Sequence, residues 1–211
     1  VFLTKSLTDG SLSPYMSSVK DIDNLCSSNC LLAMDAEFVA VGDEDYVMNE
    51  SGSKVTIRET RHAVARISVV DCPTGKVVLD DYVLPKEPVT DYLTRFSGVE
   101  RHDLDPALSP HHLITPRSAY LKIRYLVEQG VFFIGHGLKN DFWTMNLFVS
   151  DAQIIDTVEI YHKPCQRYIS LRFLTNMVFK HDMQEEVHDS VEDAKAAYEL
   201  YKHSLSLKRQ D

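Results

Sequence analysis

Residues 31–40 read LLAMDAEFVA, an apolar run interrupted by two carboxylates, Asp35 and Glu37. Leu31, Leu32, Ala33, Met34, Ala36 and Phe38 around them predict a buried strand. A strand has a side-chain period of two, so Asp35 and Glu37 point to one face. Two acids there are costly, because each loses hydration and each repels the other. Such a pair persists if arginines lie against it or if it anchors cations. Hard oxygen donors of this kind suit magnesium or manganese.

Working outward, residues 62–72, HAVARISVVDC, alternate and are β-branched, so they predict a second strand. A Pro73-Thr74-Gly75 turn leads to a third, VVLDDYVL, at 77–84. These three make an antiparallel meander. Between the first two lies VGDEDYVMNESGSKVTIRET, residues 41–60, acidic with a Ser-Gly-Ser centre and expected to be a long loop or hairpin. The second half changes character. RSAYLKIRYLVEQG (117–130) has helical spacing, VFFIG (131–135) is a short strand, and LKNDFWTMNLF (138–148) is a helix after a Gly-His-Gly turn. AQIIDT (152–157) is a strand, and ISLRFLTNMVF (169–179) and SVEDAKAAYELYKHSLSL (190–207) are helices. The expected fold is α/β and ribonuclease-H-like: a central mixed sheet, three antiparallel strands then two parallel, flanked by helices. Residues 1–30, polar and Ser-rich, predict an N-terminal arm or linker ahead of one domain at 31–211.

The bulk properties bound the function. A chain of 211 residues has room for one cored domain. No apolar run approaches the roughly 18 residues of a membrane span, and no signal-peptide pattern opens the chain. No membrane partner is expected. Val1 in place of an initiator Met suggests an excised part of something longer. Cys26, Cys30, Cys72 and Cys165 lack paired CxxC spacing, which predicts reduced thiols in a cytosolic or nuclear protein. The net charge of −9 argues against broad affinity for nucleic acid and moves any grip on a strand to a local groove or to partners.

Three more residues join the pair. Asp141, in GHGLKNDF, falls in the first turn of a predicted helix, where a carboxylate also favours the helix dipole. His188 and Asp193, in HDSVEDA, flank the start of the last helix, and Ser190 with Asp193 is spaced like a capping box. Each has a structural excuse alone. In conjunction, DxE on the first strand, Asp at a mid-chain helix start and H-x4-D at the last helix resemble the DEDDh exonuclease superfamily. DDYVLPKEPVTDYLTRFSGVERHDLD (80–105), GHGLKNDF and ISLRFL further resemble the family of catalytic subunits of the Pan poly(A)-specific deadenylase complex, over roughly residues 31–203. That family also carries a β-propeller and an inactive ubiquitin-hydrolase-like domain, so the chain resembles its nuclease domain alone.

The resemblance implies a 3′–5′ exoribonuclease that shortens poly(A) tails and releases 5′-AMP. It implies two divalent cations, Mg²⁺ with Mn²⁺ as a substitute, held by Asp35, Glu37, Asp141 and Asp193. It implies His188 as the base that deprotonates water. Phe38 is then a stacking surface or a core residue. Asn140 pairs with an adenine edge or caps its helix, and Ser97 in the SGV turn contacts substrate. Lys163, Arg167 and Arg172 form a basic stretch, ordinarily a solvated face, and Asp156 is structural. Implied partners are single-stranded RNA and the poly(A) tail, the regulatory subunit of the Pan complex and, indirectly, poly(A)-binding protein, in the cytoplasm and in mRNA-decay granules. Three alternatives stay open: a DEDDh nuclease for other RNA or DNA ends, an inactive nuclease-like RNA-binding module, and an interaction domain with its acids on the surface.

Overall fold

The computed structural model describes residues 30–42, 45–58, 60–179 and 189–209. Nine strands and six helices follow one another in this part of the chain. The strands are β1 (Leu31–Val41), β2 (Asp45–Met48), β3 (Lys54–Arg58), β4 (Arg61–Asp71), β5 (Val77–Val83), β6 (Val89–Asp91), β7 (Leu113–Ile114), β8 (Phe132–Gly135) and β9 (Ile154–Asp156). The helices are α1 (Thr94–Ser97), α2 (Pro116–Glu128), α3 (Leu138–Thr144), α4 (Thr157–Tyr161), α5 (Leu171–Phe179) and α6 (Ser190–Leu207). The main sheet runs β7-β5-β4-β1-β8-β9, with β6 added to the end of β1. β1, β4 and β5 are antiparallel, and β8 and β9 continue parallel to β1. This is the expected mixed sheet and ribonuclease-H-like arrangement. The acidic excursion is a hairpin, β2 with β3, standing off the main sheet.

Strand alternation on β1 sorts the core. Leu32, Met34 and Ala36 face one side and pack with Ala119, Ile123 and Leu126 of α2 and Leu138 and Phe142 of α3. Ala33 faces the other and packs with Ala194 and Ala197 of α6. Further along that second face, Val39 and Val41 join Val99 and Leu104, which lie on the loop and 3-10 turn after α1. Asp35 and Glu37 fall between these two apolar clusters, so the second face of β1 has a gap where its acids lie. Among the described residues no helix is long and apolar enough to cross a membrane. Cys30, Cys72 and Cys165 are free thiols.

Several predicted bounds shift, each for a local reason. The helix expected over 138–148 stops at Thr144, because Asn146 takes a left-handed φ of 53° and Leu147 N–H turns back to the Phe142 carbonyl. The helix expected at 117–130 starts at Pro116, whose fixed φ suits the first helical position, under a Thr115 cap. The Ser190/Asp193 capping box does not form. Asp189 is the N-cap of α6, its carboxylate accepting from the N–H groups of Val191 and Glu192, and Ser190 is already helical. The two-residue β7 and the three-residue β6 carry too little pattern to be read from sequence. The predicted arm at 1–30 lies outside the described residues except for Cys30.

Candidate active site

Asp35, Glu37 and Asp193 come together, with carboxylate oxygens all within 4.8 Å of one another. Their positions follow from the elements. Asp35 and Glu37 project from the gap in β1. Asp193 is on the first turn of α6, which crosses that gap. The fourth predicted acid, Asp141, is buried in α3 outside that triplet, yet its charge acts on both Asp35 and Glu37. His188 lies outside the described residues, one position before the N-cap of α6.

The electrostatics are those of a site short of positive charge. Burial, then Glu37, Asp141 and Asp193, hold Asp35 well above the usual carboxylate range. Burial and then Asp193 push Glu37 up to about 8, against the pull of Arg66. Burial and then Asp156 push Asp141 up to about 8. Arg66, which faces Glu37 across the β1–β4 ladder, is committed elsewhere. Its guanidinium forks onto Asp80 at 2.8 and 3.0 Å and reaches Asp189 at 3.2 Å. The donors are all hard carboxylate oxygens, and Arg66, the arginine opposite Glu37, bonds Asp80 and Asp189 rather than the cluster. Both features fit a hard divalent cation rather than a structural ion pair.

Sequence reasoning missed the parts that hold these acids in place. Next to the Arg66 fork, the Ser68 and Ser190 hydroxyls meet at 2.6 Å. Together they fasten the start of α6 to β4. On the other side, the Gly135-His136-Gly137 turn is tied by the Asp156 carboxylate, which accepts from Gly137 N–H at 2.8 Å, and by Thr157 Oγ1, which donates to the Gly135 carbonyl at 2.8 Å. The His136 ring bridges Thr157 Oγ1 and the Ile169 carbonyl. Asp156 is structural, as expected. A Cβ on Gly135 would meet the Met34 carbonyl at 2.6 Å, so only glycine lets β8 lie this close to β1 while α3 begins three residues later.

A groove of about 840 Å³ opens beside Glu37. Its walls include all three predicted substrate residues, Phe38, Ser97 and Asn140, together with Thr60, Arg61, His62, Leu93, Phe96, Trp143 and Thr144. Phe38 is half-buried, packing toward α2 and α3 as alternation requires while still bordering the groove. Asn140 is exposed and is not the cap of its helix, which is Gly137. Ser97 is buried, and its hydroxyl is occupied within the turn, donating to the Tyr92 carbonyl and accepting from Val99 N–H. Trp143 was legible only as a helix residue and Phe96 only as part of the TRFSGV stretch, because their role depends on which wall of the groove they reach.

Comparison with known proteins agrees with this geometry. The catalytic subunit PAN2 of the PAN2–PAN3 deadenylation complex from Gallus gallus is 45% identical over 180 residues, covering 84% of this chain and 15% of that protein. The chain thus spans about one seventh of such a relative. The Saccharomyces cerevisiae Pan2 pseudoubiquitin hydrolase–RNA exonuclease module superposes with a TM-score of 0.80 at 37% identity in complex with AAGGA RNA, covering 96% of this chain and 32% of that one. The same module with A7 RNA gives a TM-score of 0.76 at 38% identity over 87% of this chain and 29% of that one. The profile of the Exonuclease family (RNase_T), a family that implies divalent-metal use, matches residues 32–201. That stretch runs from the second residue of β1 into α6 and contains all five predicted catalytic residues, so the chain belongs to the Exonuclease family.

Proposed function

We propose that this chain is the nuclease domain, residues 31–211, of a deadenylase: a 3′–5′ exoribonuclease that shortens poly(A) tails and releases 5′-AMP. The observation that carries the reading is the convergence of the Asp35, Glu37 and Asp193 carboxylates from β1 and α6 beside an aromatic-walled groove. The likeness to deadenylation-complex subunits and to a module whose structure is in complex with A7 RNA supports the choice of substrate. Asp35, Glu37, Asp141 and Asp193 are the residues that would hold two divalent ions, Mg²⁺ or in its place Mn²⁺. When bound, such ions offset the acids' charge and supply Lewis acidity to a phosphodiester. His188 takes the proton of the attacking water on an imidazole nitrogen, as a base with a pKa near neutrality can. Phe38 and Asn140 orient the terminal nucleotides, and buried Ser97 shapes the turn that borders them. The whole protein works on mRNA in the cytoplasm, with the regulatory subunit of the Pan complex and, through it, poly(A)-binding protein.

A 5′-labelled oligo(A) should be shortened from its 3′ end with magnesium or manganese and be untouched in excess EDTA. Asp35→Ala should remove the activity and leave the circular dichroism unchanged. Normal turnover by Asp35→Ala at saturating magnesium would refute the metal-site assignment. Shortening of oligo(U) and oligo(C) at the rate of oligo(A) would leave a nuclease and remove the deadenylase.

A further inference from the structure

We infer that Trp143 is a base-stacking residue: its indole seats a nucleotide of the single-stranded RNA in the groove beside the acidic cluster, and it favours purines over pyrimidines. The inference rests on the RNA-hydrolase reading above and adds a residue to it.

Trp143 is the only tryptophan in the chain, and it is 81% exposed. A single exposed aromatic is ordinary on a protein surface, but this one is not isolated. Phe96, from α1, is 67% exposed and borders the same groove, as does half-buried Phe38 from β1. Three aromatic side chains from three elements therefore meet one cleft that Glu37 also lines. The helix explains how Trp143 comes to face it. Asn140, Trp143 and Thr144 are spaced i, i+3, i+4 and share one side of α3, and all three line the groove. Asp141 and Phe142 occupy the other side and are buried, with the Phe142 ring edge-on to Phe133 at 5.4 Å. One short helix thus fixes an acid behind the groove and an indole in front of it. The start of the platform is tied down, because the Asp156 carboxylate accepts from Gly137 N–H in the turn that starts the helix.

The occupant these walls suit is a nucleic acid strand. Arg61 and His62 supply donors for phosphates, and the aromatic faces supply stacking for bases, the combination that single-strand grooves use. Stacking tolerates any base but scales with the π-surface, so a purine gains more than a pyrimidine. Trp143 does not touch the reacting atoms in this arrangement. It is a specificity-determining residue and acts on binding.

The sole tryptophan makes the test direct. Wild-type chain is titrated with 5′-labelled oligo(A) and oligo(U) whose 3′-terminal linkage is a cleavage-resistant phosphorothioate. Label anisotropy reports binding and intrinsic fluorescence reports Trp143. Fluorescence should quench in step with the anisotropy, and more with oligo(A). On cleavable oligo(A), Trp143→Ala should raise KM about tenfold, the loss expected for one stacked base, with kcat within about threefold. Trp143→Phe should keep most of the affinity, and the ratio of oligo(A) to oligo(U) affinity should fall in Trp143→Ala. Binding seen by anisotropy with unchanged tryptophan fluorescence, or an unchanged KM in Trp143→Ala, would overturn the stacking role and leave the nuclease reading intact. No binding and no hydrolysis of any RNA by the wild type would overturn that reading itself, and the stacking role with it.

Discussion

Glu37 sits at the balance of the site. It is buried, it is held beside Asp193, and the one arginine across the ladder is bonded to Asp80 and Asp189. That balance has a measurable consequence in the metal-free chain. The Glu37 carboxyl rises from 4.5 to about 8 on folding. Between those values the folded form holds a proton that the unfolded form has lost, so unfolding releases protons and stability falls as pH rises. The contribution is full below about 4.5 and is gone once pH passes about 8, and Asp141, also raised to about 8, adds in the same direction. In EDTA the melting temperature should therefore decline from pH 5 to pH 9, and the increment from added magnesium should grow over the same range. A flat EDTA profile would mean the acids are compensated by something other than metal. His188 is the other decisive residue. His188→Ala should keep the magnesium increment in melting temperature while the single-turnover rate drops about 10²–10⁴-fold, the usual share of a general base. Loss of the increment with the rate preserved would make His188 a ligand instead.

Among the elements, α6 must lie correctly for Asp193 to meet β1, and a partly buried polar latch does that work. The Arg66 fork on Asp80, its contact to the N-cap Asp189 and the Ser68–Ser190 pair join three elements at the helix start. Arg66→Ala leaves the Asp80 carboxylate, whose side chain is 18% exposed, without its charge partner and with only the Ser68 hydroxyl donating to it, so urea unfolding should show a loss of about 3 kcal/mol, as for other broken buried pairs. A loss under 1 kcal/mol would show that solvent reaches the latch. This is also where the sequence was least legible. The DxE pair could be placed on one face from a two-residue period, and Asp141 and Asp193 at helix starts from helix-start and glycine signals. Arg66 meets Asp80 only because β4 lies against β5 with Arg66 opposite Tyr82 and Ser68 opposite Asp80, and the register of that pair shifts at a bulge between Val69 and Val70 that leaves no mark in composition. The N-cap was misplaced by one residue because Asp189 and Ser190 are both good caps, and burial of Ser190 against Ser68 decided between them. The end of α3 was overrun because MNLF is apolar enough to continue a helix, and only the left-handed turn at Asn146 stops it.

Across the molecule, the acidic balance and the groove together dictate how a strand is held. The net charge is −9, so the surface offers little general attraction to phosphates. Of the residues lining the groove, only Arg61 and His62 are basic, and Arg61 is already paired with Glu87. Against these stand Phe38, Phe96 and Trp143. Aromatic stacking should then supply most of the affinity and phosphate contacts the smaller part. Each phosphate neutralised on a single strand contributes about −0.7 to the slope of log affinity against log salt. One to two such contacts predict a slope of about −1, whereas a basic channel with six contacts would give about −4. Affinity for oligo(A), measured by anisotropy from 50 to 200 mM potassium chloride, should fall no more than about sevenfold. The same reliance on stacking predicts a positional effect: digestion of an A-tail should slow when the groove fills with pyrimidines, because each replaces a larger π-face with a smaller one. On a substrate with an internal run of uridines, the ladder should pause as the run enters the groove. A steep salt slope with no pause would mean that phosphates, and not bases, hold the strand.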